Sequence, residues 1–198
     1  MKIAIISDSH DNIPNIQKFL GWANKNEIEM IIHCGDIAAP SMISDLFAKE
    51  FKGEMHFVYG NVADRESLPK VVDKFDNITL HDDQGELEVD PPSHKASARF
   101  AARRARQVTT KIAFCHRPDE AMDLARSGKY HLVFHGHSHK PWTETVNLPD
   151  GPLRSVASEA GKCEVINPGT LGGVFYKAAF AVYDTASKNL ELKVLEKL

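Results

Sequence analysis

A chain of 198 residues is long enough to bury a substantial core and fits one domain or at most two small ones. With 24 Lys and Arg against 27 Asp and Glu, its formal net charge of −3 excludes binding to nucleic acid by bulk electrostatics. Its apolar runs are too short to span a membrane, and Ser7-Asp8-Ser9-His10 cuts off the apolar start too early for a signal peptide. The odd cysteine count (Cys34, Cys115, Cys163) argues against a disulfide framework and for a reducing, cytoplasmic setting.

In chain order, Lys2 to Ile6 reads as a buried strand ending just before Asp8 and His10. Asp11-Asn12 offers a helix cap and Pro14 suits a first turn. Ile16, Phe19, Leu20 and Ala23 then fall on one helical face. Met30-Ile31-Ile32 starts a strand that runs into Gly35-Asp36. Pro40-Ser41 opens a helix with Ile43, Leu46 and Phe47 on one side. Met55 to Tyr59 is a third strand, running into Gly60-Asn61, and Leu68, Val71, Val72 and Phe75 mark a third helix. This alternation predicts a mostly parallel α/β sheet. Ile78 to Leu80 and Glu86 to Val89 read as a hairpin around Asp82-Asp83-Gln84-Gly85.

Pro91-Pro92 interrupts the pattern. Ser93 to Lys111 carries Lys95, Arg99, Arg103, Arg104, Arg106 and Lys111 with no acid, and Phe100 is its only large apolar residue. It reads as a basic Ala/Arg-rich insertion at about 90–110 in a single domain spanning 1–198. Lys111 to Cys115 is a strand that reaches His116. Pro118 to Ser127 is a helix closed by Gly128, and Tyr130 to Phe134 leads into His135-Gly136-His137-Ser138-His139. After Pro141 only strands follow: Trp142 to Leu148, Cys163 to Ile166 and a hairpin of Ala179–Tyr183 with Leu190–Leu195. Pro149-Asp150-Gly151-Pro152 begins the turn-rich stretch between the first two, and Asn167-Pro168-Gly169-Thr170 is a tight turn.

Five apolar runs thus end in side chains suited to a metal: Asp8 with His10, Asp36, Asn61, His116, and His137 with His139. In an extended backbone the last two imidazoles would point to one side. Sites in open α/β sheets lie beyond the carboxyl ends of strands, where glycines 35, 60 and 136 suit sharp turns. Seven donors are too many for one tetrahedral ion and suit two ions if one carboxylate bridges. Mixed imidazole, carboxylate and amide ligands favour Mn, Fe, Zn, Co or Ni over Ca or Mg, with Mn the first candidate.

This ordered set resembles the calcineurin-like metallophosphoesterase superfamily, in particular its compact branch of bacterial and archaeal phosphodiesterases, whose fold the retromer scaffold subunit Vps29 shares. The resemblance implies a four-layer α/β/β/α sandwich with two mixed β-sheets and a metal pair at the sheet edges. One ion would take Asp8, His10, Asp36 and His139. The other would take Asp36, Asn61, His116 and His137, making Asp36 the bridge. The implied activity is hydrolysis of phosphoesters, and foremost phosphodiesters, by a metal-bridging hydroxide. Asp36, Asn61 and His116 would act through that hydroxide.

Departures from the family pattern leave roles open. Val62 stands where many members have a histidine after Gly-Asn, which leaves the general acid unassigned; Asp64 is the nearest carboxylate to the family's Cys-Asp position. Arg117 replaces a usual glycine and either contacts phosphate or faces solvent. His33, His56 and His131 read as structural, His135 as a residue behind the ligands, and Trp142, Cys34 and Cys115 as core. Other readings are a non-catalytic Vps29-like scaffold, free to lose donors, and a nuclease that uses the basic segment. Self-association is left open, and a membrane partner is not expected.

Overall fold

The computed structural model describes residues 1–89, 109–148 and 161–198. Of the basic segment only Lys111 falls among them. Its other basic residues and the stretch opened by Pro149 lie outside the described residues.

The first half alternates strand and helix: β1 (Lys2–Ile6), α1 (Ile13–Lys25), β2 (Met30–His33), a π-helical segment (Ile43–Phe47) running into α2 (Ala48–Glu50), β3 (Glu54–Phe57), α3 (Ser67–Val72) and β4 (Ile78–Leu80). β1 to β4 pair in parallel. Two late strands, β10 (Ala179–Asp184) and β11 (Asn189–Val194), extend the other side of β1 antiparallel, giving a six-stranded sheet in the order β11-β10-β1-β2-β3-β4. The remaining strands are β5 (Gln84–Val89), β6 (Thr110–Cys115), β7 (Leu132–Phe134), β8 (Trp142–Asn147) and β9 (Lys162–Asn167). They form a second mixed sheet, ordered β5-β6-β7-β9-β8, with α4 (Pro118–Arg126) between β6 and β7.

Side-chain alternation along the strands builds the layers. Ile3, Ile5, Ile32, Phe114, Phe134 and Ile166 point between the sheets and form one buried cluster. Their neighbours Ala4, Ile6, Ile31 and Phe57 face the other way, against Ile16, Phe19, Leu20 and Ala23 of α1 and against Ile43 and Phe47. On the far side, Ala113, Val133 and Val165 meet Ala121 and Ala125 of α4, whose small side chains let the helix sit close. Helices therefore cover both outer faces of two stacked sheets. α1 forms because its apolar residues recur at helical spacing. Pro14 lies in its first turn, and Asn12 Oδ1 accepts the Asn15 N–H at 3.2 Å. α4 is followed by Gly128 at φ +70°.

The hairpin expected over 78–89 does not form. Backbone bonds from His81 N to Phe57 O and from Tyr59 N to Asp82 O hold β4 beside β3. The chain then crosses to the second sheet, where β5 pairs antiparallel with β6 from Gln84↔Cys115 to Val89↔Thr110. A six-residue ladder inside a sheet outcompetes an isolated two-stranded ribbon, which is marginal in water. The hairpin of β10 and β11 does form, in register Asp184↔Asn189 at its turn.

Gly85 lies across from Phe114 in the β5–β6 ladder, and a Cβ there would come 2.1 Å from the Phe114 Cζ. Phe114 is fully buried, so its ring has little room to retreat. Gly85→Ala is expected to destabilise the fold by about 1–3 kcal/mol through overpacking. The measurement is urea unfolding; an unchanged midpoint would show that the ring can move freely.

Candidate metal centre

Asp8, Asp36 and Asn61 follow the carboxyl-end sides of β1, β2 and β3, while His116, His137 and His139 follow β6 and β7. The stacked sheets bring these edges together. Five of the seven donors have left-handed backbones: Asp8 (φ 48°), His10 (42°), Asp36 (65°), His137 (67°) and His139 (60°). Each such residue costs about 1–3 kcal/mol and persists only where its surroundings hold it. The histidine pair is accordingly not extended, as its spacing suggested. A Ser138 N–H bond to Gly136 O at 2.8 Å marks a tight turn, and the two rings go to different neighbours.

On one side, His139 Nε2 lies 3.3 Å from Asp8 Oδ1 and 3.2 Å from His10 Nε2. On the other, Asn61 Oδ1 lies 2.9 Å from His116 Nε2 and 3.1 Å from His137 Nδ1. Asp36 Oδ2 sits between the two groups, 3.8 Å from His10 Nε2 and 3.5 Å from His116 Nε2. The Val62 backbone N–H bonds Asp36 Oδ1 at 3.2 Å and so turns Oδ2 toward the histidines. The site is graded in depth: Asp8 and Asp36 are buried, whereas Asn61 and His137 are exposed.

The donor chemistry fits cations. His116 Nδ1 donates to the Cys34 carbonyl at 2.8 Å, and His139 Nδ1 donates to the Val174 carbonyl at 3.1 Å. In the neutral rings each inward Nε2 therefore carries a lone pair. The His116 lone pair faces another acceptor, the Asn61 oxygen, an arrangement that a cation between them relieves. Among the described residues, neither Asp8 nor Asp36 has a Lys or Arg nitrogen within ion-pair distance. Burial raises the Asp8 carboxyl above its usual range. Two buried carboxylates without cationic side chains are costly, and metal ions beside them would supply the missing charge. The ligand atoms of Asp8, His10 and His139 lie within 4.8 Å of one another, as do those of Asp8, Asp36 and His116.

A second set of residues, which the sequence reading took only for turns and caps, holds the donors in place. Asn167 Nδ2 donates to Gly136 O and Ser138 Oγ, both at 2.9 Å, while its Oδ1 accepts the Gly169 N–H at 2.8 Å. Thr170 Oγ1 donates to the Asp8 carbonyl at 2.9 Å, and Gly172 N–H donates to the same oxygen at 2.9 Å. Asp11 accepts the N–H groups of Ala38 and Ala39, closing the loop after Asp36. The turn at residues 167–170 is thus a brace under two ligand loops. The only available signal was the presence of Asn and Thr with Pro and Gly after a strand.

The glycines before the donors prove to be chiefly about space. Gly35 alone of the three has a positive φ, +97°. A Cβ on Gly60 would come 1.9 Å from Asp36 Oδ1, and one on Gly136 would come 1.8 Å from Ser7 Oγ.

The other singled-out residues separate clearly. His33 is buried, bonds Ser9 Oγ at 3.0 Å and is pushed by burial down to about 3. His135 is buried behind the donors, with Nδ1 on Gly136 O and burial lowering it to about 4. His56 bonds His81, and His131 Nδ1 accepts the Lys111 N–H. Trp142 packs beside His135 against the outer core. The three cysteines are buried and unbonded to each other. Asp64 is exposed and accepts the N–H groups of Glu66 and Ser67, and the Ser67 bonds hold it below the usual carboxylate range. These bonds hold the turn before α3 and leave Asp64 a poor proton donor. Arg117 lines a cleft of about 490 Å³ beside Asn61 and His116, together with Tyr59, Arg65 and Glu120. Its Nε lies 3.5 Å from Asp119, and Arg65 is bonded to Asp83.

The model of the calcineurin-like phosphoesterase superfamily domain matches residues 1–188. A phosphodiesterase of Methanocaldococcus jannaschii is 27% identical over 198 residues, covering 99% of this chain and 100% of that one. Among solved structures, a novel archaeal phosphodiesterase superposes with a TM-score of 0.71 at 25% identity, over 98% of this chain and 99% of the other. A single mutant of Vps29 from Entamoeba histolytica superposes with a TM-score of 0.58 at 15% identity, over 98% and 99%, and so shares the fold.

Asn167 touches no candidate ligand side chain, yet it pins the loop that carries two of them. Asn167→Ala is expected to weaken metal binding by about 10–100-fold, the usual effect of removing a ligand's supporting partner, while far-UV circular dichroism stays native. Titration with Mn or Zn into chelator-treated protein is the measurement. Wild-type affinity in this variant would show that the loop holds itself.

Proposed function

Because the chain belongs to the calcineurin-like phosphoesterase superfamily, we propose that it is a hydrolase that cleaves phosphodiesters with two divalent transition-metal ions. Mn is the first candidate, with Fe, Zn, Co and Ni as alternatives. The observation that carries this reading is the completeness of the donor set: all seven positions hold competent side chains, and folding gathers them around Asp36. One ion is assigned to Asp8, His10, Asp36 and His139, the other to Asp36, Asn61, His116 and His137. When bound, the pair supplies Lewis-acid charge to the phosphoryl oxygens and lowers the pKa of coordinated water to about 7.

The chain's own residues do the rest. The Val62 N–H fixes the shared carboxylate, and the Cys34 and Val174 carbonyls fix the rings of His116 and His139. The cleft beside Asn61 offers little spare positive charge: Arg65 is bonded to Asp83, Arg117 is paired with Asp119, and Glu120 adds a carboxyl. A singly charged diester suits such a cleft better than a doubly charged monoester. With Val62 after Asn61 and Asp64 held by the Glu66 and Ser67 N–H groups, good leaving groups are favoured, since general acid help is typically worth about 10²–10⁴-fold.

The Vps29 likeness is one of fold. A scaffold has no need of intact donors, so the intact set favours the enzyme. We treat the chain as one domain, 1–198, that carries the basic insertion.

Elemental analysis after metal loading is expected to give close to two ions per chain; a reproducible value near zero would sink the enzyme reading. Asp36→Asn is expected to lose more metal and more kcat than Asn61→Ala, because Asp36 lends charge to both groups of donors. Equal losses would contradict the bridge. The kcat/KM for bis-p-nitrophenyl phosphate is expected to exceed that for p-nitrophenyl phosphate with the same metal and pH. The reverse order would defeat the diester assignment and single out Arg117.

A further inference from the structure

Seven large apolar side chains are exposed among the described residues, and three of them sit beside candidate ligands: Val62 follows Asn61, and Val174 and Phe175 belong to the loop that meets His139. Phe175 is the extreme case, 88% exposed in a left-handed backbone at φ 65°. A bulky side chain with positive φ is an outlier, and here burial does not offset the strain. The loop is nevertheless firmly held. Leu171 and Gly172 bond to the Ser7 and Asp8 carbonyls, and Asn12 and Asn15 donate to the Gly172 and Leu171 carbonyls. Val174 O accepts from His139, and the Phe175 ring lies 5.6 Å from the His139 ring. A fixed, strained loop therefore displays an aromatic face to solvent beside a candidate metal ligand. Phe175 and Tyr176 also line a groove of about 630 Å³ together with Asn12 and Lys18. The polar cleft of Arg117 lies on the opposite, Asn61 side of the donors.

Resting on the phosphodiesterase reading, we propose that Phe175 is a specificity residue: its ring, with Tyr176 beside it, is the platform on which a planar aromatic arm of the diester stacks, a group of nucleobase size. The two ester arms leave phosphorus in different directions, so an arm on the His139 side meets the aromatic loop and its partner meets the polar cleft. Stacking on an aromatic side chain tolerates any planar ring, which makes the site selective for flatness and not for one hydrogen-bond pattern.

Calorimetric titration of the metal-loaded protein with diphenylphosphinate and dimethylphosphinate tests this. Both are monoanions with the same phosphoryl oxygens and no ester bond to cleave. The wild type is expected to bind the diphenyl compound about tenfold more tightly, in the range of one stacked ring. Phe175→Gly, in which glycine suits the left-handed backbone, is expected to weaken the diphenyl compound alone and bring the two affinities together. Phe175→Trp is expected to keep the difference. Equal affinities in the wild type, or an unchanged ratio in Phe175→Gly, overturn the platform. Failure of both phosphinates to bind fells the phosphoester reading itself, and the platform with it. Sedimentation at the same concentrations completes the test: a wild-type dimer that becomes a monomer in Phe175→Gly assigns the ring to self-association and overturns the proposal.

Discussion

Two buried carboxylates that no lysine or arginine among the described residues answers are the constraint around which this fold is arranged. Asp8 and Asp36 end adjacent parallel strands, so the sheet itself places them side by side. In a protein interior such a pair repels, and burial raises the Asp8 carboxyl above its usual range. The molecule meets this with imidazole nitrogens from its second sheet: His116 faces Asp36, and His139 faces Asp8. Neutral imidazole donates electron pairs and brings no charge of its own, so the assembly is complete only with cations. A lysine or arginine at any of these places would neutralise the carboxylates and leave nothing for a metal to do.

Holding the donors takes as much of the chain as supplying them. Left-handed backbones at Asp8, His10, Asp36, His137 and His139 turn the chain back over the strand ends, and Asn167, Thr170 and Asp11 keep it there. Gly60 and Gly136 let neighbouring loops touch where any side chain would collide with Asp36 or Ser7. Shape and electrostatics are thus set by the same few loops, and the helices serve mainly to seal the outer faces of the sheets.

The donors were legible because each ends an apolar run, and a run of β-branched residues with one polar exit is a pattern that survives without knowledge of pairing. α1 was legible for a similar local reason, since its four buried residues repeat at helical spacing. The β4–β5 hairpin was misread because alternation tells that a segment is a strand but not which strand it pairs with; the choice of β6 over β4 is made by partners more than twenty residues away. The extended geometry assigned to His137 and His139 failed for a related reason, since spacing in sequence does not reveal backbone handedness. Phe175 drew no notice at all. In sequence a Phe-Tyr pair near the last strands looks like core, and only the folded loop shows both rings exposed among the described residues.

The brace at residues 167–172 has a kinetic consequence. The bond from Thr170 to the Asp8 carbonyl joins groups 162 residues apart, and β10 flanks β1 opposite β2. Contacts of such long range close late, because the intervening chain must first surrender its freedom. As a growing chain leaves the ribosome, its first carboxylates and histidine emerge early but lack the loop that aims them until the last hairpin is about to follow. Metal capture is therefore tied to completion of the fold, and an unfinished chain presents scattered ligands in place of a preorganised centre.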